Sequence, residues 1–161
     1  MQNKIIKVGL IGLGQMGQNH LRVLSMLKSV DLVFVYDVNQ EHAVSLANHF
    51  NVSAAQNLDA VLPNVDAVVI CSPTVTHGDY IRLAAKYVKD IFVEKPLADT
   101  LPESKAIFTL STELNLNIQV GFIERFNSAV VQIKKILDIS QQVVSVDFTR
   151  TNKLSSRITD V

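Results

Sequence analysis

Near its start the chain reads Val8-Gly9-Leu10-Ile11-Gly12-Leu13-Gly14-Gln15-Met16-Gly17, a run of apolar residues followed at once by glycines spaced G-x-G-x-x-G. This pattern is typical of a strand that enters a tight turn and then a helix. Gly12 permits the turn, Gly14 allows a phosphate to approach the backbone, and Gly17 allows the helix to pack against the strand. Because the first N–H groups of a helix have no partner within it, the stretch predicts a pyrophosphate site that includes Gln15 and Met16.

A second apolar run, Asp31-Leu32-Val33-Phe34-Val35-Tyr36-Asp37, ends in an acid twenty residues beyond Gly17. An acid at that distance accepts hydrogen bonds from the hydroxyls of the adenosine ribose. The alternative, that Asp37 only caps the next helix, explains the acid but not the glycines. A carboxylate here would repel a 2′-phosphate, and no arginine follows it directly, so we expect Asp37 and Val38 to contact NAD rather than NADP.

Composition limits the possible partners of the chain. Its 161 residues correspond to about one domain, or to one domain with part of another. Lysine plus arginine and aspartate plus glutamate number 15 each, which argues against a nucleic-acid partner or an anionic membrane. The single cysteine, Cys71, permits no intramolecular disulfide, indicates a cytoplasmic setting and gives no support to a metal site. No apolar run approaches the roughly 18 residues of a membrane helix, so a soluble protein is expected.

Strand-like and helix-like segments alternate from Lys4 to about Gly121, as they do in the βαβ units of a parallel sheet. Short apolar segments predict strands at residues 5–11, 32–36, 52–54, 67–71, 90–93 and 117–120. Helical spacing predicts helices at residues 16–27, 40–50, 57–62, 77–88 and 102–114. The predicted fold class is therefore α/β, with a doubly wound Rossmann sheet over residues 1–121.

The pattern changes after Gly121. Apolar residues from Phe126 to Leu137 step by three and four, which predicts one more helix, and residues 143–149 then alternate as in a half-buried strand. Residues 152–161 have no periodicity and are interpreted as a loop. We expect residues 122–161 to form the incomplete start of an α+β C-terminal domain, whose open strand edge would favour a homo-oligomer.

In a doubly wound sheet the ligand lies at the carboxyl ends of the strands, where the strand order reverses between the first and the fourth strand. The segment Cys71-Ser72-Pro73-Thr74-Val75-Thr76-His77 follows the fourth strand and is predicted to face the glycine turn. Ser72 and Thr74 have hydroxyls that suit ribose or phosphate oxygens. The alternative is that Thr74 or Thr76 only caps the helix that starts near His77.

The fifth predicted strand ends in Val93-Glu94-Lys95-Pro96. Beside a cofactor, Glu94 could hold the nicotinamide ribose, and Lys95 could donate to a substrate hydroxyl or help to remove its proton. The simpler alternative is that both are surface charges. The bond between Lys95 and Pro96 is a candidate for the cis form, although only about 5–6% of X–Pro bonds adopt it.

Together these motifs resemble the Gfo/Idh/MocA oxidoreductases, the glucose–fructose oxidoreductase and inositol dehydrogenase group. The resemblance extends over residues 4 to about 150, and Glu-Lys-Pro is its most specific part. The motifs that carry it are Gly12-Leu13-Gly14-Gln15-Met16-Gly17 with His20, then Asp37, then Cys71-Ser72-Pro73-Thr74 with His77, and Glu94-Lys95-Pro96-Leu97-Ala98.

The resemblance implies NAD- or NADP-dependent hydride transfer on sugars, cyclitols or related alcohols. It makes Lys95 the catalytic lysine and Glu94 a residue on the cofactor side. The segment Gly121-Phe122-Ile123-Glu124-Arg125-Phe126-Asn127 is similar to that of members acting on nucleotide sugars, such as UDP-N-acetylglucosamine 3-dehydrogenase-like proteins. That similarity makes Arg125 and Asn127 candidate substrate-side or interdomain residues; alternatively, Arg125 is an exposed charge at a helix start.

One departure from the family pattern concerns the catalytic site. Full-length members continue into a segment with an aspartate and, four residues later, a histidine that works with the lysine, and neither is present in these 161 residues. The histidines present, His20, His42, His49 and His77, all lie in the Rossmann half, and His42 and His49 are expected to face solvent. We therefore expect an N-terminal portion of a dehydrogenase, inactive alone. The alternatives are a non-catalytic NAD-binding regulator or sensor, and a remnant that mainly mediates assembly.

Overall fold

The computed structural model describes residues 4–139 together with 145, 147 and 149. Six parallel strands form one sheet in the order β3-β2-β1-β4-β5-β6. The strands are β1 (Ile6–Ile11), β2 (Val30–Tyr36), β3 (Ser53–Ala54), β4 (Ala67–Ile70), β5 (Asp90–Val93) and β6 (Asn117–Val120). The helices are α1 (Gln15–Met26), α2 (Gln40–Phe50), α3 (Leu58–Val61), α4 (His77–Ala84), α5 (Leu101–Glu113) and α6 (Ser128–Ile139).

Strand β1 pairs in parallel with both β2 and β4, so the strand order reverses beside β1, as the sequence predicts. The doubly wound arrangement is thereby confirmed. The carboxyl end of β1 lies beside those of both neighbours, because Ile11 is opposite Tyr36 on one side and Ile70 on the other. Loops that follow β1, β2 and β4 therefore start at the same edge of the sheet.

The sheet is buried on both faces near its centre. Successive side chains of a strand point to opposite faces, so Leu10 and Ile11 enter different apolar clusters. One cluster includes Phe34, with residues of α3, α4 and α5, and the other includes Leu21, with residues of α1 and α2. This double burial explains why the strands read as continuous apolar runs rather than alternating ones.

Local hydrogen bonds set the ends of several helices. Asn39 caps α2, because its side chain accepts from the His42 N–H, and Thr100 caps α5 in the same way through the Glu103 N–H. Helix α4 ends at Ala84 rather than at the predicted residue 88. The reason is that the next turn tightens, with the Tyr87 N–H donating to the Ala84 carbonyl three residues back.

The chain divides into two units at Phe122 and Ile123. The second contains a 3-10 turn at Ile123–Phe126 and helix α6, where the sequence predicts a helix. The predicted loop at 152–161 lies outside the described residues, as does most of the predicted strand at 143–149. Among the helices that the structure describes, none is long and apolar enough to cross a membrane.

Candidate functional site

Four loops leave the sheet at one edge, where backbone hydrogen bonds fix the position of their first residues. The first residue after each of four strands donates its N–H to the last carbonyl of a neighbouring strand. The four bonds are 2.7–2.9 Å long and join Gly12 to Tyr36, Cys71 to Ile11, Glu94 to Ile70, and Gly121 to Val93. Three of the sequence-predicted site segments therefore start at this edge: the glycine turn, the segment from Cys71, and the Glu-Lys-Pro segment.

The three glycines of the turn meet different constraints. Gly12 has a φ of +90°, a conformation that favours glycine, and an added Cβ would lie 2.5 Å from the Ser72 nitrogen. A Cβ on Gly17 would collide with the Gly12 carbonyl. A Cβ on Gly14 would meet no atom within 4 Å. Gly12 and Gly17 are thus required by the protein itself, whereas the space above Gly14 is open to a ligand.

Helix α1 presents its free amino end to this space. Gly14 occupies the capping position and supplies no side-chain cap, and the first turn contains no acid. Within the described part of the chain, no side chain accepts from the N–H groups at the helix start, and together with the helix dipole these groups favour an anion. Gln15 is exposed and Met16 half-buried beside them. A dinucleotide pyrophosphate suits this donor set.

Asp37 is bound to the glycine turn. Its Oδ2 accepts from the Leu13 N–H at 2.7 Å, and its Oδ1 accepts from the Asn39 N–H at 2.9 Å. The helix cap of α2 is Asn39, not Asp37, so the capping alternative is wrong. Each carboxylate oxygen can accept a second hydrogen bond, and the side chain is only partly buried. Asp37 can therefore accept from ribose hydroxyls while it fixes the turn.

Beside Asp37 lies a small cavity of about 120 Å³. The rings of Tyr36 and Tyr80 meet there edge to face, with centroids 6.3 Å apart. Burial, and next the neighbouring Tyr36, raises the pKa of Tyr80, so its hydroxyl stays protonated at neutral pH. The cavity is lined by Gly12, Tyr36, Asp37, Val38, Ser72, Pro73, Thr76 and Tyr80. Sequence reasoning missed Tyr80, whose one available signal was its position a helical turn after Thr76.

The segment after β4 forms a 3-10 turn at Thr74–Thr76 that leads into α4. Thr76 precedes the helix but makes no side-chain cap bond. Its hydroxyl lies instead 2.8 Å from the Ser72 Oγ and 2.7 Å from the Pro73 carbonyl oxygen. The alternative that Thr76 only caps this helix is therefore wrong, and the threonine fixes the loop that faces the glycine turn.

His77 connects this loop to the next one. The ring is almost fully buried, with 1% exposed. Its Nε2 lies 2.9 Å from the Ser72 carbonyl oxygen, and its Nδ1 lies 3.0 Å from the Pro96 carbonyl oxygen. A neutral imidazole can donate to one of these oxygens, and only the doubly protonated ring donates to both. The buried His77 ring thus connects the loop after β4 to the loop after β5.

The Glu-Lys-Pro segment begins with a buried carboxylate. Glu94 is 6% exposed; its Oε1 lies 2.8 Å from the His20 Nε2, and its Oε2 accepts from the Lys95 N–H at 3.1 Å. Glu94 is therefore not a surface charge. Lys95 is exposed, and within the described part of the chain its ammonium makes no hydrogen bond or ion pair. The peptide between Lys95 and Pro96 is cis.

Cys71 lies between the glycine turn and Glu94. Burial, and next the charge of Glu94, raises the pKa of the Cys71 thiol from 9.0 to about 12. The thiol is therefore neutral at physiological pH and is a poor nucleophile. Cys71 also lies against the start of α1, because a Cβ added to Gly17 would be 3.6 Å from the Cys71 Cβ.

The remaining predicted site residues, Arg125 and Asn127, belong to the second unit. Arg125 is exposed in the 3-10 turn of the second unit, and Asn127 donates to the Glu124 carboxylate and accepts from the Ala129 N–H. His49 is exposed, as predicted, but His42 is half-buried and its Nε2 lies 3.2 Å from the Leu13 carbonyl oxygen. The expectation that His42 faces solvent was wrong, because α2 packs this ring against the glycine turn.

A parallel sheet that reverses its strand order at an uncapped glycine turn, with an acid bound to that turn, defines a dinucleotide-binding Rossmann domain. The sequence model of the Gfo/Idh/MocA oxidoreductases, a family with an NAD-binding Rossmann fold, matches residues 6–122. The chain belongs to this family, which confirms the resemblance seen in its motifs.

Relatives with known names include several dehydrogenases. The chain is 36% identical over 152 residues to scyllo-inositol 2-dehydrogenase (NAD(+)) of Bacillus subtilis, covering 90% of this chain and 44% of that protein. The solved structure of UDP-N-acetylglucosamine 3-dehydrogenase from Acidithiobacillus ferrooxidans matches with a TM-score of 0.75 at 30% identity, covering 81% of this chain and 43% of that one. The solved structure of a putative myo-inositol dehydrogenase from Sinorhizobium meliloti matches with a TM-score of 0.76 at 31% identity. This match covers 83% of this chain and 41% of that one. The chain thus spans less than half the length of these relatives.

Proposed function

We propose that this chain supplies the cofactor-binding half of an NAD-dependent oxidoreductase that transfers hydride between a sugar, cyclitol or nucleotide-sugar hydroxyl and nicotinamide. The observation that carries the proposal is the open space above Gly14 at the uncapped start of α1, next to a carboxylate fixed 2.7 Å from the Leu13 nitrogen. A pyrophosphate would bind the helix N–H groups, and the adenosine ribose would donate to Asp37.

The preference for NAD over NADP follows from charge. The Asp37 carboxylate lies at the ribose end of the proposed site, where a 2′-phosphate would meet a like charge. The cavity wall formed by Tyr36, Val38, Pro73 and Tyr80 contributes no cation to balance that phosphate. The B. subtilis relative named for NAD supports the same preference.

On the catalytic side, bound NAD would supply the hydride acceptor at its nicotinamide. Lys95 is the residue that we propose to meet the substrate hydroxyl, because its main chain is fixed by Glu94 while its ammonium is exposed. An ammonium placed there can donate a hydrogen bond to the alcohol oxygen and assist its deprotonation. Residues 122–161 are proposed to begin a substrate-binding domain, with Arg125 and Asn127 on its substrate or interdomain side.

The family resemblance assigns proton transfer to a histidine, paired with an aspartate four residues earlier, that these 161 residues do not contain. We therefore propose that the 161 residues bind NAD without turnover, and that the complete protein is the enzyme. Comparison of the two forms tests this division. Equal dehydrogenase activity in both would contradict the role of that histidine.

Titration calorimetry with NAD and, in parallel, NADP tests the cofactor proposal directly. We expect saturable NAD binding, at least tenfold tighter than NADP, and loss of binding in Gly14→Val. The control is Val44→Ala, a substitution at an exposed position of α2 outside the glycine turn. Tighter binding of NADP would contradict the preference.

The substrate proposal requires the complete protein. Absorbance of NADH at 340 nm would be followed with scyllo-inositol, myo-inositol, glucose 6-phosphate and UDP-N-acetylglucosamine, the compounds that appear in the names of the relatives. We expect one of them to be oxidised and Lys95→Ala to abolish the reaction. Binding of NAD with no oxidation of any of them, and no effect of Lys95→Ala, would favour a regulator or sensor.

A further inference from the structure

Glu94 has both carboxylate oxygens engaged within the protein. Oε1 lies 2.8 Å from the His20 Nε2, and Oε2 accepts from the main-chain N–H of Lys95 at 3.1 Å. The Glu94 side chain is 8% exposed and the His20 side chain 22%. A carboxylate this far from water needs donors, because an unpaired buried charge is strongly destabilising.

His20 is the side-chain donor that meets this need. It is placed on α1, three residues after the last glycine of the turn, so that its ring crosses to the carboxyl end of β5. There the ring packs against Phe92, with centroids 5.2 Å apart. In the part of the chain that the structure describes, Glu94 has no other side-chain partner, and the Lys95 ammonium does not approach it.

The carboxylate is also fixed from the side of β6. A Cβ on Gly121 would lie 2.9 Å from the Phe92 ring and 3.2 Å from the Glu94 Oε2. Contacts of 3.0–3.4 Å are tighter than ordinary van der Waals contacts, so the absence of a side chain at Gly121 leaves just enough room for Glu94. Glu94 is therefore confined between Gly121 and His20, with one oxygen aimed at each of its two donors.

We propose that His20 is a positioning residue for Lys95, acting through Glu94. The imidazole N–H fixes the carboxylate, the carboxylate fixes the Lys95 N–H, and the Lys95 side chain therefore starts from a defined main-chain position. The effect of His20 on catalysis rests on the proposed role of Lys95 in hydride transfer. The contacts from His20 to Glu94 and from Glu94 to the Lys95 N–H do not depend on that role. In this arrangement each Glu94 oxygen accepts from one donor of the protein itself.

The test compares His20→Gln with His20→Leu in the full chain. A glutamine can place an amide N–H near the position of the Nε2 donor, and a leucine supplies no donor. We expect hydrogen exchange of the Lys95 amide, measured by NMR, to be at least tenfold faster in His20→Leu and within about threefold of wild type in His20→Gln, as a lost hydrogen bond to a charged group predicts. The core amide of Leu10 reports global opening, and His49→Leu is the matched control at an exposed imidazole.

A purely structural role for His20 would accelerate the Leu10 and Lys95 amides together, and glutamine would not rescue the Lys95 amide. Either result overturns the proposal. If His20→Leu does not fold, ring-nitrogen NMR of the wild type decides. When the ring is neutral, the proposal requires His20 to carry its proton at Nε2. A ring protonated only at Nδ1 would contradict it. None of these measurements uses NAD, so failure of the cofactor proposal would be seen separately.

Discussion

The carboxylate of Asp37 accepts a hydrogen bond from the Leu13 N–H at 2.7 Å, which joins the end of β2 to the middle of the glycine turn across 24 residues. The same carboxylate accepts from the Asn39 N–H. The acid that we propose to contact the ribose therefore also fixes the shape of the glycine turn.

This double role predicts that Asp37→Ala costs both stability and affinity. Loss of hydrogen bonds to a charged group lowers the free energy of unfolding by about 1.5–3 kcal/mol. NAD binding weakens at least tenfold, and the ratio of NADP to NAD affinity rises because the like charge is removed. Urea unfolding and calorimetric titration measure the two effects. Asp37→Asn, which keeps one acceptor oxygen, is the matched control. Its stability and its NAD affinity are expected to lie between those of wild type and Asp37→Ala. An Asp37→Ala protein of wild-type stability would argue that the Leu13 bond contributes nothing.

Substitutions at two glycines of the turn separate folding from binding. Gly14→Ala leaves the melting temperature within about 2 °C of wild type, because its Cβ meets open space and its φ of −61° suits alanine. NAD affinity nevertheless falls at least tenfold, because the Cβ occupies the space of the phosphate.

Gly12→Ala gives the opposite pattern. The positive φ and the 2.5 Å approach to the Ser72 nitrogen cost about 2 kcal/mol or more, which lowers the melting temperature by several degrees. Differential scanning fluorimetry with and without NAD measures both variants. Equal destabilisation by the two alanines would contradict the assignment of Gly14 to a ligand.

The Cys71 thiol predicts a pH dependence of stability. Its pKa is raised from 9.0 to about 12 in the folded protein, mainly by burial. Between these values the unfolded thiol loses its proton and the folded thiol keeps it. The folded state then binds more protons, so stability falls as the pH rises, by at most about 1.4 kcal/mol per pH unit.

To isolate the contribution of the thiol, the urea midpoints of wild type and Cys71→Ala are compared between about pH 8 and pH 10. The other groups that titrate at alkaline pH are common to both proteins. The wild type is expected to lose stability faster than the variant above pH 9. Cys71→Ser controls for size. Parallel pH profiles in the three proteins would show that the thiol is not buried as described.

Replacement of His77 tests whether its ring connects the loop after β4 to the loop after β5. His77→Phe keeps a planar ring but removes the polar contacts to the Ser72 and Pro96 carbonyl oxygens, and we expect the free energy of unfolding to fall by about 1–3 kcal/mol. The comparison is His49→Phe, at an exposed ring, where the change stays within about 0.5 kcal/mol. Chemical denaturation of both variants gives the difference, and similar values for the two would remove the structural role of His77.

Much of this molecule could be predicted from its sequence because periodicity and glycine spacing are local signals. All six strands, the order reversal at β1 and the glycine turn follow from them. The contacts that fix the site do not, since they join residues far apart in the chain. Nothing near His20 indicates that its ring meets Glu94, 74 residues later, and nothing near His42 indicates that it packs on the glycine turn.

The same limit applies to Tyr80, whose part in the cavity beside Asp37 depends on how α4 packs. The predicted end of α4 lies four residues beyond the observed one for a related reason: a tightened turn retains helical spacing in the sequence after the regular helix has ended.

The His77 ring has a thermodynamic consequence for ligand binding. Because one imidazole contacts the Ser72 carbonyl and the Pro96 carbonyl, the ordering entropy of the two loops is not independent. A molecule that immobilises the loop after β4 lowers the entropy that a second molecule must lose at the loop after β5. If a cofactor and an alcohol bind at these two loops as proposed, this coupling favours positive cooperativity between them.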